Sequence, residues 1–220
     1  MFSPTALTPE VKDTVASLGE VKYIAALDME HHIFVGPWSQ AYPSAKIIGP
    51  EGLPEKRAKS NVEDIKFDVL FTAKERMNTR VDEEFDSEFD HTFISSHGNK
   101  ELVFNYRRDR TLIEADLLFN LPPTEQYSRS TESPQTGLLT KFFGAMNATS
   151  GSAIWQKRLI WYAISAGDRT GFNKSVSKID GWNFDRIIPC HGDVIESGGK
   201  GIFRKIMQWH LEAAEKNSKL

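Results

Sequence analysis

Residues 27–36 read LDMEHHIFVG and follow directly on the apolar run Tyr23-Ile24-Ala25-Ala26-Leu27. The chain has six histidines, and two of them, His31 and His32, stand side by side here next to Asp28 and Glu30. On a regular strand, neighbouring side chains point to opposite faces. Where a strand gives way to a loop that constraint relaxes, and two neighbours can converge. Imidazoles and carboxylates meeting at a strand end make a metal site; the same stretch taken alone also reads as a solvated turn. The decision rests on whether other parts of the chain bring matching groups.

Three other places do. His97 ends the segment FISSH before Gly98, Asp116 lies in LIEADLLF, and His191 lies in IIPCHG. Each stands at or just after a run with strand character. In layered α/β architectures, strand ends form the rim on which loops build sites. Imidazole with a little carboxylate suits zinc, and also iron or manganese. Alone, His97 is an ordinary loop histidine and His191 a structural histidine in a tight turn. Asp116 is harder to set aside, because a carboxylate inside an apolar run needs a basic partner or a cation. His91 and His210 read as ordinary surface or core histidines.

Outward from these points the chain alternates strands and helices. Residues 8–18 predict a helix with Thr8 as N-cap, Pro9 at its first position and Gly19 as its stop. Strands are expected over 21–27, 45–49, 67–71, 92–94, 102–106, 111–119 and 184–189. A short helix is expected over 38–42. Residues 107–110 have the length of a hairpin connection. Residues 54–66 and 74–90 read as solvated connectors, and 121–137, with its prolines and hydroxyl residues, as irregular loop. Helical spacing marks 153–166 and 202–214, with a further helix closing at Ile179. In the long segment 121–152, Phe142, Phe143 and Met146 either line an apolar pocket or serve as core or lid packing; packing is the expectation. No repeat or linker divides the chain, so a single domain over 1–220 is expected.

The bulk composition narrows the function classes. The chain has 220 residues, 40% hydrophobic and 26% charged, with a net charge of −3. Those fractions are ordinary for a globular protein. No basic surplus points to nucleic acid or to an anionic membrane. The single cysteine, Cys190, permits no internal disulfide and suits a reducing compartment. The first residues, MFSPTALTPE, lack a basic start followed by an apolar core. A cytoplasmic location is therefore expected, with no membrane span.

The order of these elements resembles the metallo-β-lactamase-fold superfamily. Val21–Gly36 is similar to its first metal loop, Ser96-His97-Gly98 before Leu102-Val103-Phe104 to its second histidine and hairpin, Thr111–Phe119 to the strand with its bridging aspartate, and Ile187–Gly192 to its last histidine loop. The resemblance covers about residues 20–195. The His-His pair resembles one branch of the superfamily. The implied fold is an α+β / α/β, four-layer αββα sandwich. Its opening β-hairpin is missing here or shortened, which would leave a sheet edge open and makes a homodimer an expectation.

The resemblance also implies a ligand set, His31, His32, His97, Asp116 and His191, around zinc or alternatively iron or manganese. The superfamily's first loop usually reads His-x-His-x-Asp-His. Counting back from His32, this chain has Leu27, Met29 and His31 in the first three of those places. One ion is therefore expected rather than two, with Asp28 and Glu30 behind the ligands or facing solvent. The implied activity is metal-dependent hydrolysis of a small ester, lactone, thioester or amide, with Asp116 and His97 as catalytic candidates. The competing expectation is a non-catalytic metal- or ligand-binding protein on the same fold. A nuclease of this superfamily is disfavoured by the acidic charge and the short chain. Cys190, beside His191, is expected to pack behind the site rather than to act as a nucleophile.

Overall fold

The structure is a computed structural model that describes every residue except 61, 63, 64, 76, 77, 219 and 220. Parts of the two connectors expected over 54–66 and 74–90 therefore lie outside the described residues.

The chain opens with helix α1 (Pro9–Leu18), and Thr8 caps it as expected by accepting from the Val11 N–H. Strand β1 (Tyr23–Ala25), helix α2 (Val35–Ala41), strand β2 (Lys46–Pro50), helix α3 (Leu53–Lys59) and strand β3 (Val69–Phe71) follow. These three strands form one parallel sheet in the order β1-β2-β3. Helix α4 (Glu83–Glu88) leads into β4 (Phe89–Ile94), β5 (Glu101–Tyr106) and β6 (Thr111–Ile113). They run antiparallel, and β7 (Arg186–Ile188) joins β6 in parallel to complete a second sheet. Between β6 and β7 lie α5 (Leu138–Met146), α6 (Ile154–Leu159), a π-helical turn (Ile160–Ile164) and α7 (Arg169–Asp180). Two helices, α8 (Gly199–Ile206) and α9 (Gln208–Ser218), follow β7.

The side chains alternate strictly enough to define the layers. On β1, Ile24 faces the cluster under α1 and α2, which includes Val35 and Trp38, while Ala25 faces the other sheet. On β2, Ile47 and Ile48 divide in the same way. On β5, Leu102 and Phe104 join Ala25, Ile48 and Phe71 between the sheets, and Val103 turns to Phe172, Ile179 and Phe203 of the outer helices. A period of two on both sheets produces three apolar interfaces, and three interfaces make four layers. This is the αββα sandwich that the resemblance implies.

Several elements differ from expectation. Residues 53–59 and 83–88 are helices, not connectors. Leu53 and Arg57 anchor the first and Phe85 the second by burying large side chains, and Asp82 caps α4 by accepting from the Phe85 N–H. Such short helices depend on tertiary anchors more than on their own polar sequences. The run 111–119 is strand only to Ile113, because Glu114 accepts from the Leu117 and Leu118 N–H groups and turns the chain. Residues 138–146 form a helix within the long segment 121–152, for which no helix was expected before 153, and Phe142 and Phe143 are exposed rather than packed. The sheet edge expected to lie open beside β1 is covered by the chain's own first residues. Phe2 bridges Ala25, Ser3 N donates to Ala25 O, and the Phe2 ring packs on Phe89 and Phe104. No helix among the described residues is long and apolar enough to cross a membrane.

Candidate metal centre

Strands β4, β6 and β7 point the same way, and the loops that follow them meet the loop after β1 at one rim. His31, Asp116 and His191 come together there, with one ligand atom from each lying within 4.8 Å of the others. Each is carried by a loop held for a specific local reason.

The loop after β1 is an Asx turn. Asp28, fully buried, accepts from the Glu30 N–H (2.8 Å) and the His31 N–H (2.7 Å) through one oxygen. Its other oxygen lies 2.9 Å from His31 Nδ1. Burial works against ionising Asp28, but the ring and backbone hydrogen bonds from His31 outweigh it and hold the carboxyl below its usual range. The same hydrogen bond raises the His31 pKa, with burial opposing it. With its proton held at Nδ1, the neutral His31 ring presents the lone pair of Nε2 to the rim.

Asp116 is set by two neighbouring side chains. Glu101, fully buried, accepts from the Ala115 and Asp116 N–H groups, and Asn99 Nδ2 donates to Asp116 Oδ2 at 2.6 Å. That leaves Asp116 Oδ1 buried without a hydrogen-bond partner, 3.4 Å from His191 Nε2. His191 sits on a loop that crosses Asn120. Gly192 there has φ 107°, and a Cβ on it would fall 2.2 Å from Asn120 O, so only glycine fits. Phe119 stacks on the His191 ring, with centroids 5.8 Å apart. Burial lowers the His191 pKa, with the Asp116 charge opposing it.

The two imidazoles face one another, Nε2 to Nε2, at 3.0 Å. Two nitrogens sharing one tetrahedral ion at about 2.0–2.1 Å stand roughly 3.3 Å apart. Two imidazole nitrogens, an orphaned carboxylate oxygen and a carboxylate behind one histidine therefore fit a divalent cation of the zinc or iron type.

The structure does not bring His32 and His97 to this group. His32 turns inward, where Arg57 Nη1 lies 3.2 Å from its Nδ1 and donates to its carbonyl at 2.9 Å. Burial and the Arg57 charge lower its pKa. His97 is 3% exposed and stacks against Phe172. Its Nδ1 accepts from the Asn99 N–H, so its Nε2–H points to Asp116 O at 3.3 Å and to Glu101 Oε2 at 3.5 Å. Both ring nitrogens are engaged, and no lone pair is left for an ion. His97 steadies the backbone of Asp116 instead.

Sequence reasoning did not find Asn99 or Glu101. Neither residue carries a signal of its own; their positions relative to Asp116 come from the β4–β5 turn. Cys190 packs against the layer between the sheets, and burial pushes its thiol pKa well up, which favours the packing role over the nucleophile. A cleft of about 440 Å³ opens beside His31, lined in part by Phe2, Pro4, Ile33, Phe34, Gln126 and Cys190.

No protein-family model and no curated protein matches this chain. Solved structures do match over nearly its whole length. The metal-soaked Flv1 flavodiiron core from Synechocystis sp. PCC6803 superposes with a TM-score of 0.58 at 14% identity, over 95% of this chain and 49% of that one. The DIM-1 metallo-β-lactamase gives 0.52 at 10% identity, over 95% and 80%. A flavodiiron protein from Thermotoga maritima gives 0.53 at 11% identity, over 91% and 46%. The chain spans about half the length of the flavodiiron proteins. It has the metallo-β-lactamase fold.

Proposed function

We propose that this chain is a metal-dependent hydrolase of a small ester, lactone, thioester or amide. It would hold one ion, zinc or alternatively iron or manganese, through His31, Asp116 and His191. The observation that carries the reading is the pair of Nε2 atoms at 3.0 Å facing each other beside the unpartnered Asp116 Oδ1. A bound ion of this kind lowers the pKa of water from 15.7 to about 7 and polarises a carbonyl oxygen.

The chain's own groups do the rest. Asp28 keeps the His31 proton on Nδ1, and Glu101 and Asn99 fix the direction of Asp116. His191, the most exposed of the three, borders the side open to a substrate. Glu30 and Glu114 lie among the residues lining the neighbouring cleft, and no lysine or arginine does. That lining favours an uncharged substrate over an anionic one.

One feature favours the non-catalytic alternative. Leu27 and Met29 occupy places where the superfamily usually has ligands, and both pack into the hydrophobic clusters. Metal analysis of the purified protein, with a panel of chromogenic esters and lactones, separates the readings. Hydrolysis predicts about one ion per chain and turnover that His191→Ala abolishes. Bound metal without turnover on any substrate overturns hydrolysis and favours the binding protein.

A further inference from the structure

Helix α5, LLTKFFGAM, is built inside out. At 100° per residue, Leu138, Leu139, Phe142 and Phe143 fall within an arc of about 140°. These four side chains are 86%, 85%, 63% and 55% exposed, and no residue of the helix is buried. The side carrying Thr140 and Gly144 borders a partly open pocket of about 330 Å³ against Pro122, Pro123 and Tyr127, whose edge Lys141 and Phe143 also line. A helix that stabilises a globular protein does the reverse, turning its apolar stripe inward.

The charge of the chain segment that contains the helix is as one-sided as its exposure. From Ser133 through Gly167 the chain carries no aspartate or glutamate, although it has 30 in all. Its charged residues there are Lys141, Lys157 and Arg158. Lys141 flanks the apolar arc. Lys157 is buried and donates to Gln208, whereas Arg158 is exposed and its guanidinium lies 4.9 Å over the Trp155 ring. Trp155 and Tyr162, on the next two elements, are themselves largely exposed. The net charge of −3 averages this carboxylate-free segment with the acidic remainder of the chain.

We propose that α5 is a membrane-docking helix that seats its Leu-Leu-x-x-Phe-Phe arc in the surface of an anionic lipid bilayer. Large apolar side chains exposed beside lysine and arginine, with tryptophan and tyrosine nearby, are the composition of interfacial helices. The missing carboxylates remove the repulsion that anionic headgroups would otherwise exert. A second copy of the chain would not need that one-sided charge. The proposal goes beyond the hydrolase reading and does not depend on it.

The test is co-sedimentation of the full chain with vesicles of phosphatidylcholine and phosphatidylglycerol in about equal parts, compared with phosphatidylcholine alone. The expected result is binding to the mixed vesicles that weakens with salt. The double variant Leu139→Asp/Phe142→Asp should bind roughly tenfold less, and Lys141→Glu should lose affinity for the mixed vesicles only. Leu18→Asp, at an exposed apolar position on α1, should bind as the wild type does. Because the substituted side chains are exposed, an unchanged melting temperature should confirm that the variants fold. Absence of the wild type from the vesicle pellet overturns the proposal, as does binding that the double variant leaves intact. So does light scattering that shows a dimer which Leu139→Asp/Phe142→Asp splits, for then the face covers a second copy.

Discussion

The rim around His31 and the packed interior around His32 are one residue apart in the chain and opposite in chemistry. On the rim, Asp28 accepts a hydrogen bond from the His31 Nδ1–H and raises the affinity of the ring for charge, and Asp116 and His191 stand opposite. In the interior, Arg57 approaches the His32 ring, and with burial it lowers the pKa. His210, deeper in the second half of the sandwich, has Asn173 at 2.6 Å in place of a carboxylate, and burial pushes its pKa down to about 4. One side-chain type thus stands as a candidate cation ligand at the rim or as packing in the interior, according to whether its ring leaves a lone pair facing the other ligand atoms.

The most direct way to break this comparison is to exchange the roles of the neighbours. His31→Ala or His191→Ala should take the metal content from about one ion per chain to almost none, with little change in melting temperature. His32→Ala should do the opposite. It should leave metal content unchanged and destabilise the fold by about 2 kcal/mol, because the buried Arg57 loses an acceptor. Equal metal loss in His31→Ala and His32→Ala, read by elemental analysis, would end the distinction.

A smaller effect sharpens it. Asp28→Asn retains the shape of the turn but removes the charge behind His31. Metal affinity should fall about 10–100-fold, measured by competition with a chelator of known affinity. A change below twofold would show that His31 is oriented by the turn alone.

The interior can be tested by pH. His210 titrates near 4 in the folded chain, against about 6.5 when free. Below pH 6.5 the unfolded chain takes up a proton that the folded chain refuses. The contribution of His210 is therefore complete above pH 6.5 and is lost as pH falls toward 4. A shift of that size amounts to roughly 3 kcal/mol. Denaturant titrations of His210→Gln should lack this slope, and a slope identical to that of the wild type would assign it to other groups.

The smallest effect concerns Cys190. Its thiol is partly buried, and burial raises its pKa. Cys190→Ser should change turnover by less than about threefold, and alkylation at neutral pH should be slow. Loss of turnover on alkylation without loss of metal would return the cysteine to the chemistry.

Much of this molecule was legible in one dimension. The apolar runs at 23–27, 45–49 and 102–106 located strands, because burial on both faces demands continuous hydrophobicity. The α1 boundaries followed from Thr8, Pro9 and Gly19. The short helices α3 and α4 were not legible, since each is held by only one or two buried side chains in an otherwise polar segment. Nor was α5, whose apolar residues sit among loop-like neighbours and face outward.

From the chain alone came most of the strands in their order and a set of five candidates, His31, His32, His97, Asp116 and His191, from which the rim draws three. Those are local properties, set by which side chains avoid water and at what spacing. The tertiary structure alone chose between His31 and His32, engaged both nitrogens of His97, and put Asn99 and Glu101 behind Asp116. These choices depend on which distant group occupies the neighbouring space, and a ligand's lone pair is free only if nothing else has claimed it.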